Sequence, residues 1–376
     1  MVINFFMPTK VIMSEGCIQK NAELCKDYGK KALIVTGASS AKVCGALQDV
    51  TMALQSQGIE FDIYDRIRSN PTITGIYEGA EFAKKTRAEF IIGIGGGSPM
   101  DAAKVIALLA IQELSEEELF LGKYGERALP IILIPTTAGT GSEVTPYAIL
   151  TNDMKQTKTS IASPLLFPKI AFLDARYTKS LPMLTTINTA LDALSHSIEG
   201  MLTVRASVVS NALAIESISR IRQCLGSLSP SPVVSTSKKL SIDIREKLLY
   251  ASMLAGMVIT HTGTTVVHPM GYCLTYFKNI DHGRANGLIL PSFLRFIAKH
   301  DAEVVKKILT AAGVASLDEF EAIFLRLLGE REQITAKELE RYVAIASKAK
   351  NVTNSKVILT KEDIENIYAR SLPILS

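Results

Sequence analysis

The chain has 376 residues, 47% of them hydrophobic and 21% charged, a composition that suits a protein with large cores and about two domains of roughly 150 residues or more. Forty-one Lys and Arg against 37 Asp and Glu leave a formal charge of +4 with no basic tract, which argues against nucleic acid as the main partner. No apolar run approaches the roughly 18 residues needed to cross a bilayer, and five scattered cysteines without a CxxC pair point to a reducing cytoplasm rather than a disulfide framework.

The opening MVINFFMPTKVIM has no basic region ahead of an apolar one, so it reads as a first β-strand rather than a secretory signal. Short runs rich in β-branched residues follow at 32–36, 59–64, 90–94, 131–134 and 170–173, with a helix predicted over 100–114. Strands alternating with helices predict βαβ units and a mainly parallel sheet up to about residue 175. A domain boundary is expected near 176–186, dividing an α/β domain (1–180) from an all-helical one (181–376). Beyond residue 185 the period is helical, as at 317–328 and 339–346. Ser316 with Glu319, Thr335 with Glu338 and Thr360 with Asp363 have capping-box spacing. The stretch 226–237, GSLSPSPVVSTS, reads as a Pro/Ser loop between helices.

The run 90–94 leads straight into Gly95-Gly96-Gly97-Ser98-Pro99 and a helix from about Met100. Strand, glycine turn and helix N-terminus aim unpaired backbone N–H groups and the helix dipole at one point, which makes an anion site. A ligand-free βα turn has the same sequence pattern, and Gly93-x-Gly95-x-x-Ser98 departs from the dinucleotide fingerprint at its last position. A second polar loop, PTTAGTGSE at 135–143, closes another strand and favours a phosphate-bearing cofactor.

Asp192 and His196 stand four residues apart in LTTINTALDALSHSIEG, so a helix places both on one face. Taken alone, the pair also fits an Asp–His hydrogen bond on a helix surface. Four of the five histidines, however, lie between 196 and 282, and His268 and His282 flank HPMGYCLTYFKNIDHG. Three imidazoles and a carboxylate suit a divalent transition metal such as iron, zinc or manganese. His261 falls two helical turns, roughly 10 Å, before His268 and is left out of the set, as is His300.

Four stretches in this order, GGGSPMDAAK (95–104), IPTTAGTGSEVT (134–145), DALSHSIEG (192–200) and VHPMGYCLTYFKNIDHGRANG (267–287), make the sequence resemble the iron-containing, or group III, alcohol dehydrogenase family over almost its whole length. The resemblance implies an N-terminal Rossmann-like dinucleotide-binding domain and an all-α, dehydroquinate synthase-like metal domain, with the active site in the cleft between them. It carries the metal ligands to Asp192, His196, His268 and His282, with Fe2+ as the usual ion and Zn2+ as an alternative. It carries cofactor contacts to Gly96, Gly97, Ser98, Pro99, Met100 and Asp101, to Thr136, Thr137 and Thr140, and to Asn70, Ile149 and Lys158.

Three positions depart from the family pattern. Tyr272 replaces a second histidine one turn after His268 and is assigned to the catalytic group as a hydrogen-bond donor or pocket wall. Asp281 replaces a common proline and offers a carboxylate to the surroundings of the metal. In VTGASS (35–40), Gly37 stands where NAD-using relatives often carry an Asp, and with Ser39 it leaves room and a hydroxyl for a 2′-phosphate. The expectation is therefore a cytoplasmic, homodimeric enzyme that interconverts a small primary alcohol and its aldehyde, prefers NADP(H) over NAD(H), and binds neither nucleic acid nor membrane. The alternatives are an NAD- and Zn2+-using glycerol or polyol dehydrogenase, a metal-free maleylacetate-type reductase, and a non-catalytic metal- or nucleotide-binding module.

Overall fold

The computed structural model describes residues 3–152, 155–228 and 240–375, so most of the Pro/Ser-rich stretch 226–237 lies outside the described residues. The chain divides into two compact units. One comprises Met7–Leu181 with Ser241–Leu249, and the other comprises Met1–Phe6, Pro182–Leu240 and Tyr250–Ser376.

In the first unit, strands β1 (Lys10–Met13), β2 (Lys31–Thr36), β3 (Glu60–Tyr64), β4 (Phe90–Gly95) and β5 (Ile131–Pro135) join a later strand, Ile170–Leu173, in one sheet. A separate antiparallel ribbon is formed by β6 (Tyr147–Asn152) and β7 (Thr157–Ala162), which makes Ile170–Leu173 β8. The sheet order is β1-β8-β5-β4-β2-β3, and every pairing in it is parallel. The inner strands are apolar on both faces because helices cover both. Ala32, Ile34, Phe90, Ile92 and Ile132 pack with helix α1 (Ala46–Ser56). Leu33, Val35, Ile91 and Leu133 pack with α2 (Ile73–Thr86) and α3 (Gly97–Leu109). The connections leaving β2 and β4 thus run over opposite faces, which opens a crevice at the C-terminal ends of these neighbours where open α/β sheets take ligands.

Two elements differ from the sequence reading. Among the described residues of the N-terminal segment only Lys10–Met13 is strand, paired with β8 at the sheet's edge. Helix α3 begins at Gly97, inside the glycine turn, and ends at Leu109 rather than 114. The Ala107 carbonyl accepts from the Leu129 N–H and Gln112 is tied to Gly125 and Arg127, so the chain leaves the helical path there.

The second unit is helical: α4 (Met183–Met201), α5 (Val208–Leu225), α6 (Ile242–Thr262, whose first turns group with the sheet), α7 (Val267–Lys278), α8 (His282–Ala298), α9 (Ala302–Ala312), α10 (Leu317–Leu328), α11 (Ala336–Ala346) and α12 (Lys361–Ser371). Reciprocal capping boxes open α11 through Thr335 and Glu338 and α12 through Thr360 and Asp363. Ser316 accepts from the Glu319 N–H to cap α10, while Glu319 reaches past it to the Ala315 N–H. Helix α4 is the axis of this unit, buried along nearly all of its last four turns. Among the described residues no helix is long and apolar enough to cross a membrane.

Candidate functional site

In the helical unit, α4 supplies Asp192 and His196, α7 supplies His268 and α8 opens with His282. The i, i+4 spacing brings His196 Nε2 to 3.8 Å from Asp192 Oδ1, and His282 Nε2 lies 3.7 Å from the same oxygen. The His196 and His268 rings stack with centroids 4.7 Å apart, and His268 meets His282 edge-on at 5.2 Å. Ligand atoms of Asp192, His196 and His268 all fall within 4.8 Å of one another, and all three residues are buried. Two donors each about 2.1 Å from one tetrahedral cation stand roughly 3.4 Å apart, so Asp192, His196 and His268 are spaced as ligands of one divalent ion could be, with His282 beside the same Asp192 oxygen. Burial alone would raise the Asp192 carboxyl, but the three neighbouring imidazoles hold it below the usual carboxylate range.

The sequence analysis missed two residues that frame this cluster. Glu199, one turn beyond His196 on α4, is fully buried and its Oε2 accepts from His268 Nδ1. Asn286, one turn into α8, places its amide nitrogen 3.1 Å from Asp192 Oδ1, 3.1 Å from His282 Nε2 and 3.4 Å from His268 Nε2. Helical spacing from His196 and His282 was the available signal for both. Tyr272 lies partly buried against the imidazoles, stacked on His282 at 5.0 Å and edge-on to His268 at 6.1 Å. The Asp281 carboxylate accepts from Asn188 Nδ2 at 2.7 Å and ties the start of α8 to α4. His261 is engaged elsewhere: Nδ1 meets the Met257 carbonyl, Nε2 meets the Phe6 backbone, and the ring stacks on Phe5.

In the α/β unit, the two polar loops meet at the ends of β4 and β5. The Thr136 N–H donates to the Gly95 carbonyl at 2.8 Å. A side chain at Gly97 would stand 2.8 Å from Thr140 Cγ2, so only glycine lets the turn and the threonine loop lie this close. A side chain at Gly96 would stand 3.2 Å from Thr137 Cγ2. Asn70, with a left-handed φ of 55°, donates its N–H to Ser98 Oγ at 3.2 Å. Gly37 sits at the end of β2 beside the Ile67 carbonyl, and Ser39 precedes a short helix, Ser40–Val43. Gly37, Asn70, Gly96, Gly97, Ser98, Thr137 and Thr140 thus join through neighbouring loops at one end of the sheet.

Pro99 and Met100 continue α3, with Met100 fully buried. Asp101 points into the unit instead: Oδ1 accepts from Ser142 Oγ at 2.6 Å and Oδ2 from the Ile149 N–H at 2.9 Å. The charge of Lys158, on β7, reaches Asp101 as well. Asp101 and Ile149 therefore brace one another, and their link holds the second loop and the ribbon to α3.

Comparison with known proteins follows both units. Residues 8–175 match the model of the family described as iron-containing alcohol dehydrogenase, and residues 186–372 match its C-terminal counterpart, described as Fe-containing alcohol dehydrogenase family, C-terminal. The lactaldehyde reductase of Escherichia coli K12 is 35% identical over 288 residues, covering 76% of this chain and 73% of its own. An iron-containing alcohol dehydrogenase from Thermotoga maritima superposes with a TM-score of 0.90 at 39% identity, over 99% of both chains. Sulfoacetaldehyde reductase from Bifidobacterium kashiwanohense, solved in complex with NAD+, gives 0.87 at 28% identity, again over 99% of both.

Proposed function

The chain belongs to the iron-containing alcohol dehydrogenase family, and from that premise we propose that it interconverts a small primary alcohol and its aldehyde by hydride transfer with NADP(H), with Fe2+ held by Asp192, His196, His268 and His282. The observation that carries this reading is the convergence of three imidazoles on one buried carboxylate in the helical unit. A divalent cation in that set supplies Lewis acidity toward the substrate oxygen. Asp192 brings the negative charge that favours a cation over a neutral guest, and Asn286 steadies that carboxylate through its amide. Tyr272, set against His268 and His282, offers a hydroxyl-bearing ring as a wall of the substrate pocket. The metal set would have no purpose in a maleylacetate-type reductase that works without metal.

Gly96, Gly97, Ser98, Pro99 and Met100 are read as the pyrophosphate turn at the start of α3, where N–H groups and the helix dipole favour an anion. Asn70, Thr136, Thr137, Thr140 and Lys158 complete the cofactor contacts, while Asp101 and Ile149 act from beneath as braces. The preference for NADP(H) rests on Gly37 and Ser39. Neither position carries a carboxylate of its own to repel a 2′-phosphate, and a side chain at Gly37 would crowd the Ile67 carbonyl at 3.3 Å. The same reading makes the protein a cytoplasmic homodimer, for which β1, at the edge of its sheet, offers an unpaired strand face.

The test is anaerobic reduction of a panel of short-chain aldehydes by metal-stripped protein reloaded with Fe2+ or Zn2+, using NADPH and NADH in parallel. Iron-dependent oxidation of NADPH, with a higher kcat/KM than NADH gives, is the expected result. Equal or better kcat/KM with NADH overturns the cofactor preference. Failure with every aldehyde, once metal and NADPH binding are established, overturns the reaction.

A further inference from the structure

Helix α4 carries Asp192, His196 and Glu199 at i, i+4 and i+7, so all three fall on one face over two turns. Glu199 has no solvent exposure, and a carboxylate is costly to bury unless its oxygens are fully engaged. Here they are. Oε1 accepts from the Thr265 N–H at 2.9 Å, from Thr265 Oγ1 at 2.7 Å and from the Val267 N–H at 3.2 Å. Oε2 faces His268 Nδ1. The turn that leads into α7 is thus moulded around one carboxylate of α4.

We propose that Glu199 is a positioning residue of the metal centre, holding His268 with its proton on Nδ1 so that the Nε2 lone pair faces the space shared with Asp192, His196 and His282. Three donors already converge on Oε1 and Oε2 faces Nδ1, so the geometry sets the carboxylate as acceptor and the imidazole Nδ1 as donor. The second ring nitrogen is then the ligand atom, as in other carboxylate–histidine–metal arrangements. Its direction agrees with this: His268 Nε2 is 3.4 Å from the Asn286 amide nitrogen that also touches Asp192 Oδ1 and His282 Nε2. One helix therefore supplies two ligands and orients a third that lies 69 residues beyond Glu199 in the chain. The inference rests on the metal-centre reading given above.

Glu199→Gln is the informative change. Its amide oxygen can still serve the Thr265 and Val267 donors, but its NH2 then donates to His268 Nδ1 and drives the ring proton to Nε2, the wrong atom for the metal. Zn2+ affinity of the full-length chain is measured by chelator competition for wild type, E199Q, H268A and T265V. E199Q is expected to bind about 10–100-fold more weakly, with apo-protein Tm close to wild type. T265V, which loses a donor to the other oxygen only, is expected to keep its affinity. Wild-type affinity in E199Q with weakened binding in H268A overturns the role of Glu199 and leaves the metal centre standing. Wild-type affinity in H268A overturns the metal centre itself.

If E199Q does not fold, 15N-histidine NMR of the Zn2+-loaded wild type decides. A proton on His268 Nδ1 supports the proposal; a proton on Nε2 refutes it.

Discussion

Lys104 is an ammonium with no exposed surface, and its surroundings explain how it is tolerated. It donates to Ser142 Oγ at 2.8 Å, Thr145 Oγ1 at 3.2 Å and the Tyr147 carbonyl at 2.6 Å. Burial lowers it to about 8, against the opposing charges of Asp101 and Glu143. Glu143 is treated less well: burial pushes its carboxyl up to about 7, and Oε1 has no hydrogen-bond partner among the described residues. A carboxyl whose folded pKa lies above its unfolded value of 4.5 contributes stability that is complete below pH 4.5 and lost as the pH rises through 7. Glu143→Gln cannot ionise and escapes that loss. Its stability relative to wild type should therefore grow between pH 4.5 and 7 and level off above, reaching about 3 kcal/mol at most. Urea denaturation at pH 5 and pH 8 measures it, and a gap that does not widen with pH refutes the assignment.

At the scale of elements, the metal cluster depends on how closely α8 approaches α4. Gly283 directly follows His282, and a side chain there would run into the Asn188 backbone, whose carbonyl carbon would be 2.7 Å away, with Asp192 Cβ at 3.0 Å. Neither obstacle can swing aside, since one is backbone and the other is the root of a ligand. Gly283→Ala should therefore push α8 outward with His282, costing about 1–3 kcal/mol of stability as other overpacked sites do and weakening Zn2+ binding at the same time. Urea midpoints and chelator competition read the two effects, and loss of one without the other would separate packing from ligation.

The same elements show what the sequence makes legible. The inner strands stood out because parallel strands buried on both faces are continuous apolar runs, and the reading of a parallel sheet followed by a helical region matches the fold. The Asp192–His196 pair was visible because helical spacing is local. Glu199, within the stretch 192–200, was not singled out, since its partners lie beyond residue 264 and only the folded chain brings them to it. Asn286 had the helical spacing from His282 as its signal, but its partners on α4 and α7 come to it only in the folded chain. Asp101 and Lys104 fell within a motif that suggested a ligand, yet their side chains turn inward to brace the neighbouring loop. The end of α3 was missed because a tertiary hydrogen bond from Leu129, not a breaker residue, stops it.

For the molecule as a whole, the four proposed ligands come from three helices, α4, α7 and α8, that span most of the described core of the helical unit. An unfolded chain cannot present them together, so a cation bound there stabilises only the native state, by RT ln(1 + [L]/Kd). At a free Zn2+ concentration a hundred times Kd that is about 2.7 kcal/mol. For a unit of this size each kcal/mol moves Tm by about 2–4 °C, giving a rise of roughly 5–10 °C. Excess chelator should return the transition to its starting point. His196→Ala and His268→Ala should show little or no rise, because removing one imidazole leaves the cation short of a ligand while the helices still pack. Differential scanning calorimetry with and without Zn2+ reads this without any substrate or nicotinamide cofactor. A wild-type transition insensitive to Zn2+, or a rise that persists in both variants, would place the cation elsewhere and remove the basis for assigning the chemistry to this cluster.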